Sequence, residues 1–262
     1  MARVFITGSA DGLGQMAAEL LVAAGHRVVL HARNPQRADV ALSKNPGAEA
    51  VVVGDLSSIE QTRSVADEIN RLGQFDAVIH NAGIGYRENR RVATVDGLPQ
   101  VFAVNGLAPY ILTALIKKPS RLVYLSSGMH HGAHAKLDDL EWKKRSWNGS
   151  SAYAESKLLD VILSFAVARL WPDVFSNAVE PGWVATKMGG PGAPDDLAAG
   201  PKTQVWLAVS NDREAKVTGG YFYHQKPRKP NPEASSTAVQ DRLLAECERL
   251  SGVQLPVTSL SH

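Results

Sequence analysis

Tyr153 and Lys157 lie four residues apart in the stretch Ser151-Ala152-Tyr153-Ala154-Glu155-Ser156-Lys157, whose pattern reads as helix. Side chains at i and i+4 project from one helix face, so the phenol and the ammonium are expected to meet. A free phenol ionises near pH ~10, and a cation held beside it favours the phenolate, which turns a tyrosine into an acid. Short pairs of this kind are common on solvated helices, so the meaning of this one depends on the rest of the chain.

The elements that must position the pair begin at the N-terminus. Arg3 to Thr7 is a short apolar, β-branched run ending in Gly8-Ser9-Ala10-Asp11-Gly12-Leu13-Gly14, and an apolar-periodic segment follows from Met16 to Ala24. This order predicts strand, glycine loop and helix. Glycines there permit a tight turn and close approach of a pyrophosphate, which the helix N-terminus stabilises through its unpaired N–H groups. Gly25 closes the helix, and residues 26–33 read as a second strand. An acid at the end of that strand would bond a ribose 2′-OH, whereas an arginine pairs with a 2′-phosphate. Ala32 holds the position of the acid and Arg33 follows it, which favours NADP.

Further strands are predicted at 50–54, 77–80 and 122–125, with helical patterns near 57–72 and 97–117 between them. The alternation implies a parallel sheet with helices on both faces. Asp55-Leu56, Asn81-Ala82-Gly83 and Ser126-Ser127-Gly128 each follow a strand, and ligands in open α/β sheets bind beyond the strands' carboxyl ends. Residues 128–150 lack periodicity and read as a substrate loop, with His130, His131 and His134 as loop or surface histidines; no accompanying ligand spacing supports a metal. The helix of Tyr153 continues through Leu170, apolar on more than one face, which predicts burial against both the sheet and a partner subunit. A sixth strand covers 175–179, a Gly- and Pro-rich lid 186–200, a seventh strand 220–223, and a last amphipathic helix about 236–250. Trp142, Trp147, Trp183 and Met188 are candidates for an apolar substrate pocket.

At 262 residues and 44% hydrophobic, the chain suits one α/β domain spanning 1–262. A net charge of +2 with interspersed signs argues against nucleic acid as a partner. The single Cys247 excludes an intrachain disulfide and fits a reducing, cytoplasmic setting. No run is long and apolar enough to span a bilayer, and the early first strand argues against a signal peptide.

Over nearly its whole length the chain resembles the short-chain dehydrogenase/reductase family. Thr7-Gly8-x-x-x-Gly12-x-Gly14 is similar to that family's cofactor loop, Asn81-Ala82-Gly83 to its strand-four motif, Pro181-Gly182 to its strand-six motif, and Tyr153-x-x-x-Lys157 to its active-site pair. Residues 127–131 and 219–222 look most like the retinol-dehydrogenase-like branch. The resemblance implies a single Rossmann-type doubly wound parallel sheet of about seven strands. It implies a catalytic set of Asn105, Ser127, Tyr153 and Lys157, with no metal. Cofactor contacts are implied for Thr7, Gly8, Ser9, Asp11, Gly12, Leu13 and Gly14 in the loop, and for Arg33, Asp55 and Leu56. Asn81, Ala82 and Gly83 follow, with Tyr153, Lys157, Pro181, Gly182, Val184 and Thr186 completing the set.

These residues imply an NADP(H)-dependent oxidoreductase that interconverts a small-molecule carbonyl and an alcohol, as a homo-oligomer, dimer or tetramer, without a membrane anchor. NAD remains possible, because Asp11 stands where many NADP-dependent members carry a basic residue. Ser127 precedes Tyr153 by about twice the usual spacing, which assigns the intervening residues to an inserted substrate loop. The alternatives are an NADP(H)-binding redox sensor without turnover and an NAD-dependent sugar epimerase or dehydratase.

Overall fold

The structure is a computed structural model and describes residues 1–257. Eight strands form one sheet: β1 (Arg3–Ile6), β2 (Arg27–Ala32), β3 (Ala50–Val53), β4 (Ala77–His80), β5 (Arg121–Leu125), β6 (Phe175–Glu180), β7 (Gly220–Tyr223) and β8 (Lys226–Pro227). Their order is β3-β2-β1-β4-β5-β6-β7-β8, parallel throughout except for the final antiparallel pair. The expected seven strands are all present, and β8 adds a short hairpin edge. Sequence reading missed it because its turn uses His224 and Gln225 at positive φ, without a glycine to announce it.

Period-two alternation sends successive residues of each strand to opposite faces. Val4 and Ile6 of β1, with Val28 and Leu30 of β2, join one core cluster, whereas Phe5 and Val29 join the other. The first cluster lies under α1 (Gly12–Ala23), α2 (Pro35–Lys44) and α7 (Lys202–Val209). The second lies under α3 (Ile59–Leu72), α4 (Gln100–Phe102), α5 (Ala108–Leu115), α6 (Gly149–Leu170) and α8 (Thr237–Ser251). Each fully buried Val, Leu, Ile or Phe contributes about 1.5–3 kcal/mol, so both faces carry much of the stability.

Two helices escaped the sequence reading. α2 begins where the Asn34 side chain accepts a hydrogen bond from Arg37 N at 2.9 Å, with Pro35 in the first turn. That start signal is legible, but the segment's few buried residues, Ala38 and Ala41, make a weak stripe. α7 follows the Gly- and Pro-rich segment 186–200 and has no side-chain cap.

The apolar second face of α6 has a covering that the sequence did not reveal. α8 and the 3₁₀ turns Gly128–Gly132 and Pro232–Ser235 of the same chain pack on α6. From Lys157 to Ser164 every residue of the helix is buried. Its hydrophobicity is therefore used within one chain and does not itself call for a partner subunit. Cys247 belongs to this layer, where burial pushes its thiol up. Among the described residues no helix is long and apolar enough to cross a membrane.

The strand order reverses direction between β1 and β4, and the crevice outside their carboxyl ends is where an open sheet of this type holds ligands.

Candidate active site

The glycine loop after β1 is shaped by contacts behind it. Gly8 has φ +64°, and an added Cβ would come within 2.8 Å of Ala82 Cα. At Gly14 an added Cβ would lie 2.3 Å from Asn81 Nδ2 and 2.5 Å from Gly8 O. Asn81 fills that space, donating from Nδ2 to Thr7 O at 2.9 Å and to Gly8 O at 3.1 Å. Thr7 Oγ1 accepts from Asn81 N and Ala82 N, both at 3.0 Å, and Ser9 Oγ donates to Ile6 O at 3.0 Å. Thr7 and Ser9 are buried; with Gly14 they stand behind the wall of the cleft and fix the loop that forms it.

His31, which the sequence did not single out, completes this support. Gly8 N–H donates to its Nδ1 at 3.0 Å, and Nε2–H donates to Gly54 O at 2.8 Å. The neutral tautomer is thus required on both sides, and burial pushes its pKa down to about 4.

The cleft so formed measures about 510 Å³. Gly8, Asp11, Gly12 and Leu13 line one end with Arg33, Asp55 and Leu56; Asn81, Ala82 and Gly83 line the middle; Tyr153, Lys157, Pro181 and Thr186 lie at the other end. The described residues fit an elongated dinucleotide: the cleft passes the N-terminus of α1 and runs past Gly83, where an added Cβ would sit 3.6 Å from both Asn105 Oδ1 and Lys157 Nζ.

Asp11 caps α1 by accepting from Gly12 N at 2.9 Å. It also pairs with Lys187 of the Gly- and Pro-rich segment and with Arg37 Nη2 at 3.3 Å, and Lys44 Nζ lies 4.0 Å away. The bond from Lys187, above all, holds its carboxyl down to about 2. Arg37 lines the cleft beside Arg33 and was missed; the signal was an arginine four residues on, in the first turn of α2. Asp55 does not cap α3, a role taken by Ser58; its Oδ1 accepts from Ser57 N.

Tyr153 and Lys157 emerge from α6 as the spacing required. Asn105 lies on a π-turn, Ala103–Leu107, that interrupts the helical run, a feature common at functional positions. Its Oδ1 accepts from Ile84 N at 2.7 Å, while Nδ2 donates to Ile84 O and Ser156 Oγ, both at 3.0 Å. Asn105 thus joins the loop after β4 to α6. Lys157 Nζ donates to Leu125 O at 2.7 Å and to Asp160 Oδ2 at 2.9 Å. Burial works against its charge, but Asp160 and then Tyr153 outweigh it and raise its pKa. Ser127, two residues past β5, caps the 3₁₀ turn Gly128–Gly132 with an extended backbone, its Oγ accepting from Met129 N at 3.3 Å, while neighbouring Ser126 donates to Lys157 O at 2.7 Å.

The chain matches the profile of a family described as short chain dehydrogenase over residues 2–128. It is 45% identical to an uncharacterised oxidoreductase of Emericella nidulans, over 98% of this chain and 99% of that one. It belongs to the short-chain dehydrogenase/reductase family. It is 31% identical to human retinol dehydrogenase 13, over 97% of this chain and 85% of the relative, in keeping with the branch its motifs resemble. A solved structure of an uncharacterised protein from Mycobacterium paratuberculosis superposes with a TM-score of 0.85 at 24% identity, covering 98% of this chain and 96% of the other, and shares the fold. As a member of the family, the chain is an oxidoreductase acting on CH–OH or C=O groups with NAD(P).

In this short-chain dehydrogenase/reductase a second cavity of about 650 Å³ adjoins the first. Leu13, Ser126, Tyr153, Pro181, Thr186 and Met188 line both, so Tyr153 stands at the junction, its hydroxyl donating to Met188 Sδ at 3.8 Å. Ser127, Gly182 and Val184 line only the second cavity. Trp183 and Met188 are in its wall, whereas Trp142 and Trp147 pack on each other at 5.1 Å and line neither space. The polar end of the cavity was not foreseen: Glu180 Oε1 accepts from Arg228 Nη1 at 2.7 Å, beside Asp195 and Tyr223. Arg228 lies in a Pro-rich segment with no pattern to announce it.

His130 is neither a loop nor a surface group. It is wholly buried, Nδ1–H donating to Ser127 O at 2.8 Å and Nε2 accepting from Asn231 N at 3.2 Å. It braces the turn after Ser127 against the C-terminal region. No cluster of three or more His, Cys, Asp or Glu among the described residues can hold a metal.

Proposed function

We propose that this enzyme is an NADP(H)-dependent carbonyl reductase or alcohol dehydrogenase in which Tyr153 is the general acid and base. The observation that carries this reading is the place of Tyr153 at the junction of the dinucleotide-shaped cleft and the second cavity. A bound nicotinamide supplies the hydride in reduction and accepts it in oxidation. Tyr153 protonates the carbonyl oxygen as the new C–H bond forms, and in the reverse direction its phenolate takes the alcohol proton. Ser127, in the wall of the second cavity, donates to the same oxygen and orients it. Lys157 favours the phenolate and binds the nicotinamide ribose, and Asn105 carries the proton path from Lys157 toward solvent. Gly8, Gly12 and Leu13 hold the pyrophosphate with Ser9 and Gly14 supporting, Asp55 and Leu56 hold the adenine side, Asn81 positions the coenzyme at the middle of the cleft, and Thr186 reaches the nicotinamide carboxamide.

Preference for NADP is supported by two arginines, Arg33 and Arg37, at the adenosine end of the cleft. Residues 186–200 act as the lid, contributing Thr186, Lys187, Met188 and Asp195 to the cavities. The test is oxidation of NADPH and NADH over a panel of aldehydes, ketones and diketones, with Tyr153→Phe in parallel. Turnover that prefers NADPH and vanishes in the variant is expected. Tight NADPH binding without turnover on any carbonyl would overturn the reductase reading in favour of a sensor, and NADH preference would overturn the cofactor assignment.

A further inference from the structure

One buried charge near the site has no part in the chemistry above. Asp160 lies on α6 one turn beyond Lys157, with a side chain only 3% exposed, and its Oδ2 accepts from Lys157 Nζ at 2.9 Å. A second ammonium hydrogen goes to Leu125 O at the end of β5. Two of the three N–H donors are therefore tied to the fold, which leaves one for the cleft, on the side where Gly83 faces Nζ. The carboxylate is also a counter-charge placed directly behind the cation that is meant to act on Tyr153.

Building on the reading of Tyr153 and Lys157 given above, we propose that Asp160 is a positioning residue that anchors Lys157 and keeps its buried ammonium charged, thereby setting the pH at which Tyr153 exchanges its proton. In a low-dielectric site an ammonium without a counter-charge gives up its proton readily, so the cation that favours the phenolate depends on the carboxylate behind it. Removing the carboxylate leaves burial to drive the proton off Lys157, and the phenolate then forms at higher pH.

The other titratable groups facing the pair are few. Tyr153 lies on α6 itself, Tyr124 on β5, and His80 on β4 stacks on Tyr124 at 4.7 Å. Thr113 of α5 links those two, with Oγ1 3.1 Å from His80 Nε2 and 2.8 Å from Tyr124 Oη, and Ser176 of β6 adds only an uncharged hydroxyl. Burial holds His80 down to about 3 and pushes Tyr124 up, so neither changes charge across the working range. Burial pushes Asp160 up to about 7, against the opposing pull of Lys157, so above neutrality it is an anion beside the Lys157 ammonium.

The experiment has two readouts. The pH dependence of kcat/KM for alcohol oxidation is compared among wild type, Asp160→Asn and Asp160→Glu. Separately, absorbance at the phenolate band is titrated in the coenzyme-free protein, with Tyr153→Phe subtracted to isolate the Tyr153 signal. Asp160→Asn is expected to move both the basic limb and the phenolate titration up by about one pH unit, a tenfold rate change on the limb. Asp160→Glu is expected to restore the wild-type profile. Asp160→Ser, which fits the same space, carries the test if the Asn variant does not fold. Titrations that superimpose or move downward overturn the proposal, as does a loss of rate by one constant factor at every pH. The absorbance titration needs no substrate, so a shift there without turnover would retain the role of Asp160 and reject the reductase reading.

Discussion

Arg37 Nη2 and Asp11 Oδ2 face each other at 3.3 Å across the adenosine end of the cleft. The acid that made the sequence ambiguous about its coenzyme thus occupies a guanidinium that would otherwise be free for a 2′-phosphate. Replacing Asp11 with Ser keeps a side-chain cap for α1 and releases Arg37. NADPH is expected to bind several-fold more tightly in Asp11→Ser, whereas Arg33→Ala and Arg37→Ala each weaken NADPH at least tenfold and leave NADH within about twofold. Coenzyme fluorescence titration measures all three, and equal losses for both coenzymes would refute the assignment.

Gly14 supports binding without touching the cleft. A methyl there meets Asn81 Nδ2 and the backbone oxygen of Gly8, and backbone yields less easily than a side-chain tip. Gly14→Ala should weaken both coenzymes by more than tenfold and lower the unfolding temperature by several degrees, as expected for overpacking that costs about 1–3 kcal/mol. Coenzyme titration and thermal melts of the same preparation give the two numbers; a variant that binds normally would show that the loop relaxes.

The polar end of the second cavity should govern substrate and leave the coenzyme unaffected. Arg228→Ala leaves the buried Glu180 carboxylate without its cation. The expected result is a change of KM for the carbonyl of about threefold or more, with NADPH affinity unaltered, because Arg228 lines only the substrate side. Steady-state kinetics with each reactant varied in turn separates the two.

Three buried histidines make stability depend on pH. His31 and His130 are held down to about 4 and His80 to about 3, chiefly by burial, and in the unfolded chain each titrates near 6.5. As pH falls through 6.5 the unfolded chain takes protons that the fold refuses. Stability is thus fully present above 6.5 and is lost progressively down to about 4, by about 2–3 kcal/mol per histidine near pH 4.5. Asp160 acts oppositely, since its raised carboxyl favours the fold as pH drops from 7 toward 4. Three groups against one leave a net loss, so the urea midpoint should fall between pH 7 and pH 5; a flat midpoint would contradict it.

The sheet was legible because β-branched runs alternate with helical periodicity, and a parallel α/β sheet needs little more than that order. The Tyr153–Lys157 face was legible for the same reason, since helix geometry fixes i and i+4. The glycine loop showed its shape through residue type: only glycine fits where the backbone turns to positive φ or where Asn81 packs against it. What the sequence determined by itself was therefore set by local geometry.

Tertiary structure decided the rest, because those features depend on residues distant along the chain. Arg228 meets Glu180 only through the β7–β8 hairpin, and Lys187 meets Asp11 only where the lid crosses the first helix. His130 changed from an apparent loop residue to a buried brace once Asn231 and Tyr221 closed on it. The second apolar face of α6 implied a partner until α8 covered it. Asp160 is the sharpest case: its spacing from Lys157 is written in the sequence, but whether i and i+3 form a solvated surface pair or a buried ion pair depends on the strands and helices that exclude water around them.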